Sequence, residues 1–83
     1  VLFSDSRNQI RALYAALHRA GVRHGDVGWQ HVLRCGMEVR LIDFDRATVR
    51  PDTTTDTEWD RLCEAERGYV HLMLRNPADM NTA

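Results

Sequence analysis

Two acidic residues stand where a scaffold could present them to a substrate. Asp26 lies in a glycine-flanked loop, His24-Gly25-Asp26-Val27-Gly28, and Asp43 ends the apolar run from Val39 to Ile42. A carboxylate leaving a buried strand is costly unless it is paired, hydrogen-bonded or metal-bound. If the chain between the two doubles back, both carboxylates meet at one end of it. Such a pair suits a divalent cation and a proton acceptor. A plainer role also fits: Asp26 organises its own turn and Asp43 caps a loop. Spacing alone leaves both readings open.

The elements that must position these residues follow from periodicity. Ile10, Leu13, Tyr14 and Leu17 recur at helical spacing, which predicts an amphipathic helix from Asp5 to Ala20, with Ser4 or Asp5 as its cap and Gly21 as its left-handed stop. Residues 21–26 are too polar and glycine-broken for a helix, and predict a very short strand running into a loop. Val32-Leu33-Arg34 and Val39-Arg40-Leu41-Ile42, joined by Cys35-Gly36-Met37-Glu38, predict a hairpin. Arg50 to Thr55 has loop chemistry. A second helix is predicted from Asp56 to about Leu74, capped by Thr55 or Asp56, with Trp59, Leu62, Cys63, Val70 and Met73 as its apolar stripe. Asn76-Pro77 closes it. The expected fold class is α+β, in the order helix, loop, short β-hairpin, loop, helix.

Composition bounds the rest. Eighty-three residues allow one small domain with a marginal core, and 43% hydrophobic against 28% charged is too apolar for a disordered chain. A net charge of −1 argues against a nucleic-acid or polybasic membrane binder, and no apolar run is long enough for a membrane span. All eleven basic residues are arginine, so chemistry that needs a lysine must borrow one from another chain. Cys35 and Cys63 form no CxxC pair and read as reduced thiols in an intracellular, cytoplasmic setting. Trp59 falls on the core stripe, whereas Trp29, beside Asp26, is better placed to touch a ligand. His24, Asp26 and His71 could spell an iron-binding set, but that site needs a many-stranded barrel.

The wording of two segments adds more. His24-Gly25-Asp26 followed by His31-Val32-Leu33, then Leu41-Ile42-Asp43-Phe44-Asp45-Arg46-Ala47, resembles the catalytic core of the protein-kinase-like superfamily. The branch it looks most like writes HGD in place of HRD, as do aminoglycoside and choline phosphotransferases and many fungal kinase-like proteins. The resemblance runs from about Leu13 to Ala47. It implies that Asp26 falls at the catalytic base, Asp43 at the metal-binding Asp that bridges Mg²⁺ to nucleotide phosphates, and His24 at the histidine that braces the loop. His31 stands where the second metal ligand is normally Asn, and Asp45 where the triplet normally ends in Gly.

By this resemblance the chain is a partial C-terminal lobe, residues 1–83, with a frayed end over 76–83. It contains no glycine-rich nucleotide loop. ATP and Mg²⁺ are implied as cofactors and a hydroxyl-bearing substrate as partner, with no nucleic acid and no membrane. The isolated chain is expected to be inactive. The other class of function is a non-catalytic, pseudokinase-like interaction module. Missing neighbours would leave Leu62, Val70 and Met73 partly exposed, favouring a protein partner or self-association.

Overall fold

Helical periodicity at one end and β-branched runs in the middle produce the expected order. The computed structural model describes residues 2–76 and 81–82. Helix α1 spans Leu2–Arg19, so Ser4 and Asp5 lie inside it rather than capping it. Its apolar stripe buries Ile10 and Tyr14 almost completely. Gly21, at φ +80, turns the chain out of the helix in the left-handed region that glycine enters without penalty. Strand β1, Val22–Arg23, follows.

The hairpin forms from β2, Val32–Cys35, and β3, Glu38–Leu41, in antiparallel register with Val32 opposite Leu41 and Cys35 opposite Glu38. Gly36, at φ +62, supplies the positive angle that a tight two-residue turn requires. Along β3 the side chains alternate: Val39 is buried while Glu38 and Arg40 are exposed, so one face of the ribbon packs on α1. A two-stranded pair absent from the sequence expectation joins β1 to β4, Thr48–Val49, with Val22 opposite Val49. This pair closes the segment after Asp43 back onto the loop that carries Asp26.

Helix α2 runs from Asp56 to Arg75. Of the two candidate caps Thr55 serves, its side-chain oxygen accepting from the Glu58 backbone N–H at 3.1 Å. Asn76 ends the helix in extended backbone, the conformation favoured before a proline. Trp59, Cys63, Val70, Met73 and Leu74 are buried. Leu62, expected on the stripe, sits at its margin and is exposed, and Glu66 takes a core position instead. Val70 and Met73, expected to stay partly exposed, are covered by α1 and the hairpin. The exposed apolar flank of α2 is Leu62, Tyr69 and Leu72.

The core joins Ile10 and Tyr14 of α1, Val32 and Val39 of the hairpin, and Val70, Met73 and Leu74 of α2. Burying each such side chain contributes about 1.5–3 kcal/mol. Trp29 packs against this cluster and donates its indole N–H to the Met73 carbonyl at 2.9 Å, so it braces the fold instead of facing a ligand. Trp59 is core as expected, its indole N–H donating to the His18 carbonyl. Of the segment expected to fray, residues 77–80 and 83 lie outside the described residues, and β5, Asn81–Thr82, lies parallel to β2.

Candidate active site

The loop from His24 to His31 is held by buried polar groups. His24 is fully buried, its ring edge-on to Tyr14 and 4.8 Å from the Phe44 ring. Its Nε2–H donates to the Ile42 carbonyl at 2.8 Å, and its Nδ1 accepts the Asp26 backbone N–H at 3.2 Å. Both bonds are made at once by one neutral tautomer. They fix the loop before Asp26 to the strand exit before Asp43, the bracing role that the resemblance implied for this residue.

Gly25 has no alternative. Its φ is +87, and a Cβ there would land on the Arg46 carbonyl oxygen. The close approach lets the segment after Asp43 cross directly over the loop.

Beneath the loop sits Glu66, only 3% exposed. Its Oε1 accepts the backbone N–H groups of His24 at 2.8 Å and Gly25 at 3.4 Å. Its Oε2 faces His18 Nε2 at 3.5 Å and Arg23 Nε at 3.7 Å. Burial holds His18 below the ordinary imidazole range, partly offset by the attraction of Glu66. The Tyr14 phenol is pushed up, by burial first and then by the charges of Glu66 and Asp26, so it stays protonated. Sequence reasoning missed Glu66. The available signal was its phase, seven residues after Trp59 on a buried face, where a carboxylate must have partners.

The three residues singled out for chemistry converge. Asp26, His31 and Asp43 each offer a ligand atom, all within 4.8 Å of one another. Asp43 reaches the group through a left-handed backbone, φ 60, which Asp tolerates better than most residues. His31 is nearly buried, with Nδ1 2.8 Å from the Asp26 carbonyl oxygen and Nε2 2.9 Å from Asp43 Oδ2. A carbonyl can only accept, so Nδ1 carries a proton, which leaves Nε2 as the nitrogen that faces the Asp43 carboxylate. The plain hydrogen-bonding role and the ligand role thus use different nitrogens of one ring. Asp26 is part-exposed beside a cleft of about 290 Å³ lined by Arg23, Gly25, Val27, Glu66 and Tyr69. His71 is exposed and outside this group, and His24 has both nitrogens engaged, so the iron-binding set does not assemble.

A family model for lipopolysaccharide kinases (Kdo/WaaP) matches residues 5–67, which takes in most of α1, the braced loop, the hairpin and more than half of α2. The chain belongs to the lipopolysaccharide kinase (Kdo/WaaP) family. Membership makes it a kinase-like phosphotransferase chain, in agreement with the resemblance read from its motifs. No curated protein and no solved structure matches it. In this kinase-like chain, no helix among the described residues is long and apolar enough to cross a membrane.

Glu66→Ala strips the buried His24 N–H and the part-buried Gly25 N–H of their acceptor and is expected to cost about 2–3 kcal/mol. Glu66→Gln, which keeps an accepting oxygen, should cost clearly less. Urea denaturation of the variants and hydrogen exchange at His24 and Gly25 check this, and equal destabilisation by both substitutions would show that the carboxamide cannot replace the carboxylate. His18 gives a pH dependence. The unfolded chain takes up the proton at the ordinary value near 6.5 while the buried ring resists it. The unfolded state therefore gains more protons as pH falls, so His18 favours folding above that value and stability declines below it. Melting temperatures from pH 8 to pH 5 should show this decline, reduced in His18→Gln.

Proposed function

We propose that the chain carries the phosphoryl-transfer centre of an ATP-dependent kinase, with Asp26 as catalytic base and Asp43 and His31 as ligands of a divalent cation. The observation that supports it is the meeting of Asp26, His31 and Asp43 within 4.8 Å at the end of a braced loop. The donor set fits a cation: two carboxylates and one imidazole nitrogen, Asp26 and Asp43 being part-exposed and so open to a ligand. A bound Mg²⁺ would neutralise charge on the nucleotide phosphates.

The chain's own contribution is positioning. His24 accepts the Asp26 backbone N–H and Glu66 those of His24 and Gly25 before it, so the Asp26 carboxylate stands ready to accept or orient the proton of an attacking hydroxyl in the adjoining cleft. The family description makes lipopolysaccharide the first acceptor to test, through one of its hydroxyls. The requirement for glycine at position 25 supports the branch that writes HGD. Two free thiols, Cys35 and Cys63, support an intracellular, cytoplasmic setting.

The 83 residues contain no lysine and no glycine-rich phosphate loop, so in this reading the chain alone does not turn over. Calorimetry of the isolated chain with Mg·ATP should show binding no tighter than roughly millimolar. Micromolar affinity would overturn that point, while tight capture of a protein partner without transfer would favour an interaction module. In a longer chain that carries this segment, Asp26→Asn should lower phosphoryl transfer to lipopolysaccharide by roughly 100-fold or more. Nucleotide affinity should change little. Undiminished transfer would remove Asp26 from the mechanism.

Cation choice tests His31. Mg²⁺ prefers hard oxygen donors, whereas an imidazole favours Zn²⁺ and the later transition metals. Titration with Mg²⁺, Mn²⁺ and Zn²⁺ should rank Zn²⁺ first, and His31→Asn should restore preference for Mg²⁺. If the substitution leaves all three affinities unchanged, His31 serves the Asp26 carbonyl alone.

A further inference from the structure

The cleft beside Asp26 is lined by two side chains that phosphoryl transfer, as derived above, does not use: Arg23 and Tyr69. Arg23 turns its Nε inward, 3.7 Å from the buried Glu66 Oε2, where it is sealed from solvent without an acceptor. Among the described residues no group accepts from either Nη, and neither Nη is sealed in the same way. The inner edge of the guanidinium is therefore fixed while its Nη edge reaches the surface. Tyr69 stands one turn along α2 from Glu66, on the same side of the helix, and is 66% exposed.

The cleft thus sets an acceptor against a donor. The part-exposed Asp26 carboxylate can only accept, and the guanidinium can only donate. A phosphate or carboxylate would satisfy Arg23 but oppose Asp26, and an ammonium would do the reverse. The charge of Arg23 is also met by Glu66 behind it, so an anion gains little net attraction. A hydroxyl both donates and accepts, and so suits both walls. Two hydroxyls on neighbouring carbons suit them together, one turned to Asp26 and the other to the Nη edge. Tyr69 adds an apolar wall. The face of an aromatic ring attracts polarised C–H groups, which a sugar ring presents between its hydroxyls. A volume of about 290 Å³ is at the small end of ligand clefts, room for one ring and its substituents.

We propose that Arg23 and Tyr69 form the acceptor subsite of this cleft, holding one uncharged, hydroxyl-bearing ring with one hydroxyl toward Asp26. The inference rests on the assignment of Asp26 as base and narrows it. Within lipopolysaccharide, the unit seated beside Asp26 is a neutral sugar ring, and a ring that carries an acidic group is disfavoured. Arg23 selects which hydroxyl is presented, because its Nη edge takes up the neighbouring one. Neither residue exchanges a proton with the reacting group; both position it.

Titrating D-glucose into the chain should give saturable shifts in the amide resonances of Gly25, Asp26 and Val27 and in the Tyr69 ring. Met37, exposed on the hairpin turn, should stay unmoved. D-glucuronate, the same ring with a carboxylate, should bind roughly threefold or more weakly at constant ionic strength. Tyr69→Ala should weaken glucose binding about tenfold, whereas Tyr69→Phe, which keeps the ring, should retain it. Arg23→Lys keeps the charge but loses the paired Nη donors, and should also weaken binding about tenfold. Should that variant not fold, the exposed Tyr69 still decides. In a longer chain that carries this segment, Tyr69→Ala should raise KM for lipopolysaccharide about tenfold with kcat little changed. Absence of shifts at the cleft, glucuronate binding as tightly as glucose, or unchanged affinity in Tyr69→Ala overturns the subsite. Transfer by Asp26→Asn bears on the base alone, so the subsite and the base fail separately.

Discussion

One buried imidazole sets the distance between the two carboxylates on which the site depends. His24 has a donor at Nε2 and an acceptor at Nδ1, and it uses both, toward the Ile42 carbonyl and the Asp26 N–H. His31 adds a second link, from the Asp26 carbonyl to Asp43 Oδ2. A protonated His24 ring would lose the bond from Asp26, and the other neutral tautomer would set like groups against each other at both ends. The surrounding rings of Tyr14 and Phe44 exclude the water that could replace either partner.

The polar interior beneath that imidazole explains why so small a core tolerates a buried carboxylate. Glu66 occupies a position where an apolar side chain would add stability, and its Oε2 makes no hydrogen bond. Ionic groups taken out of water recover the desolvation cost only when their partners are well placed. Here the return is structural rather than energetic. Two N–H groups at the turn of the loop have no strand or helix partner, and Glu66 Oε1 supplies one acceptor for both. Arg23 and His18 surround the second oxygen without ideal geometry, consistent with a cluster shaped by the needs of the loop.

Much of this architecture was legible in the residues. The helix to Arg19, the hairpin turning at Gly36 and the helix from Asp56 each follow from periodicity plus one marked stop or cap. The meeting of Asp26 with Asp43 followed from the hairpin between them. What escaped depends on contacts distant in sequence. The pairing of β1 with β4 involves two residues a side, too short for any period to register. Glu66 looks in sequence like an ordinary solvated helix charge, and only its contact with residues more than forty positions earlier makes it structural. Trp29 shows the reverse error: proximity to Asp26 suggested a ligand face, but its indole N–H reaches across to the end of α2.

The same dependence on distant contacts bears on how far the site is formed before anything binds. Gly25 and Asp43 both sit in the left-handed region, one on each side of the site; glycine enters it without penalty, whereas Asp43 is strained there. Each is held from outside: Gly25 by the Arg46 backbone above and Glu66 below, and Asp43 by the Ile42 bonds to His24 and His31. Backbone strain of this kind persists only where the surrounding structure over-determines it. A ligand arriving at Asp26 and Asp43 therefore meets side chains already aimed, and the energy of ordering them has been met by folding. What folding leaves unsettled is charge. Asp26 and Asp43 approach each other beside the His31 ring, which turns Nδ1 toward Asp26 and Nε2 toward Asp43.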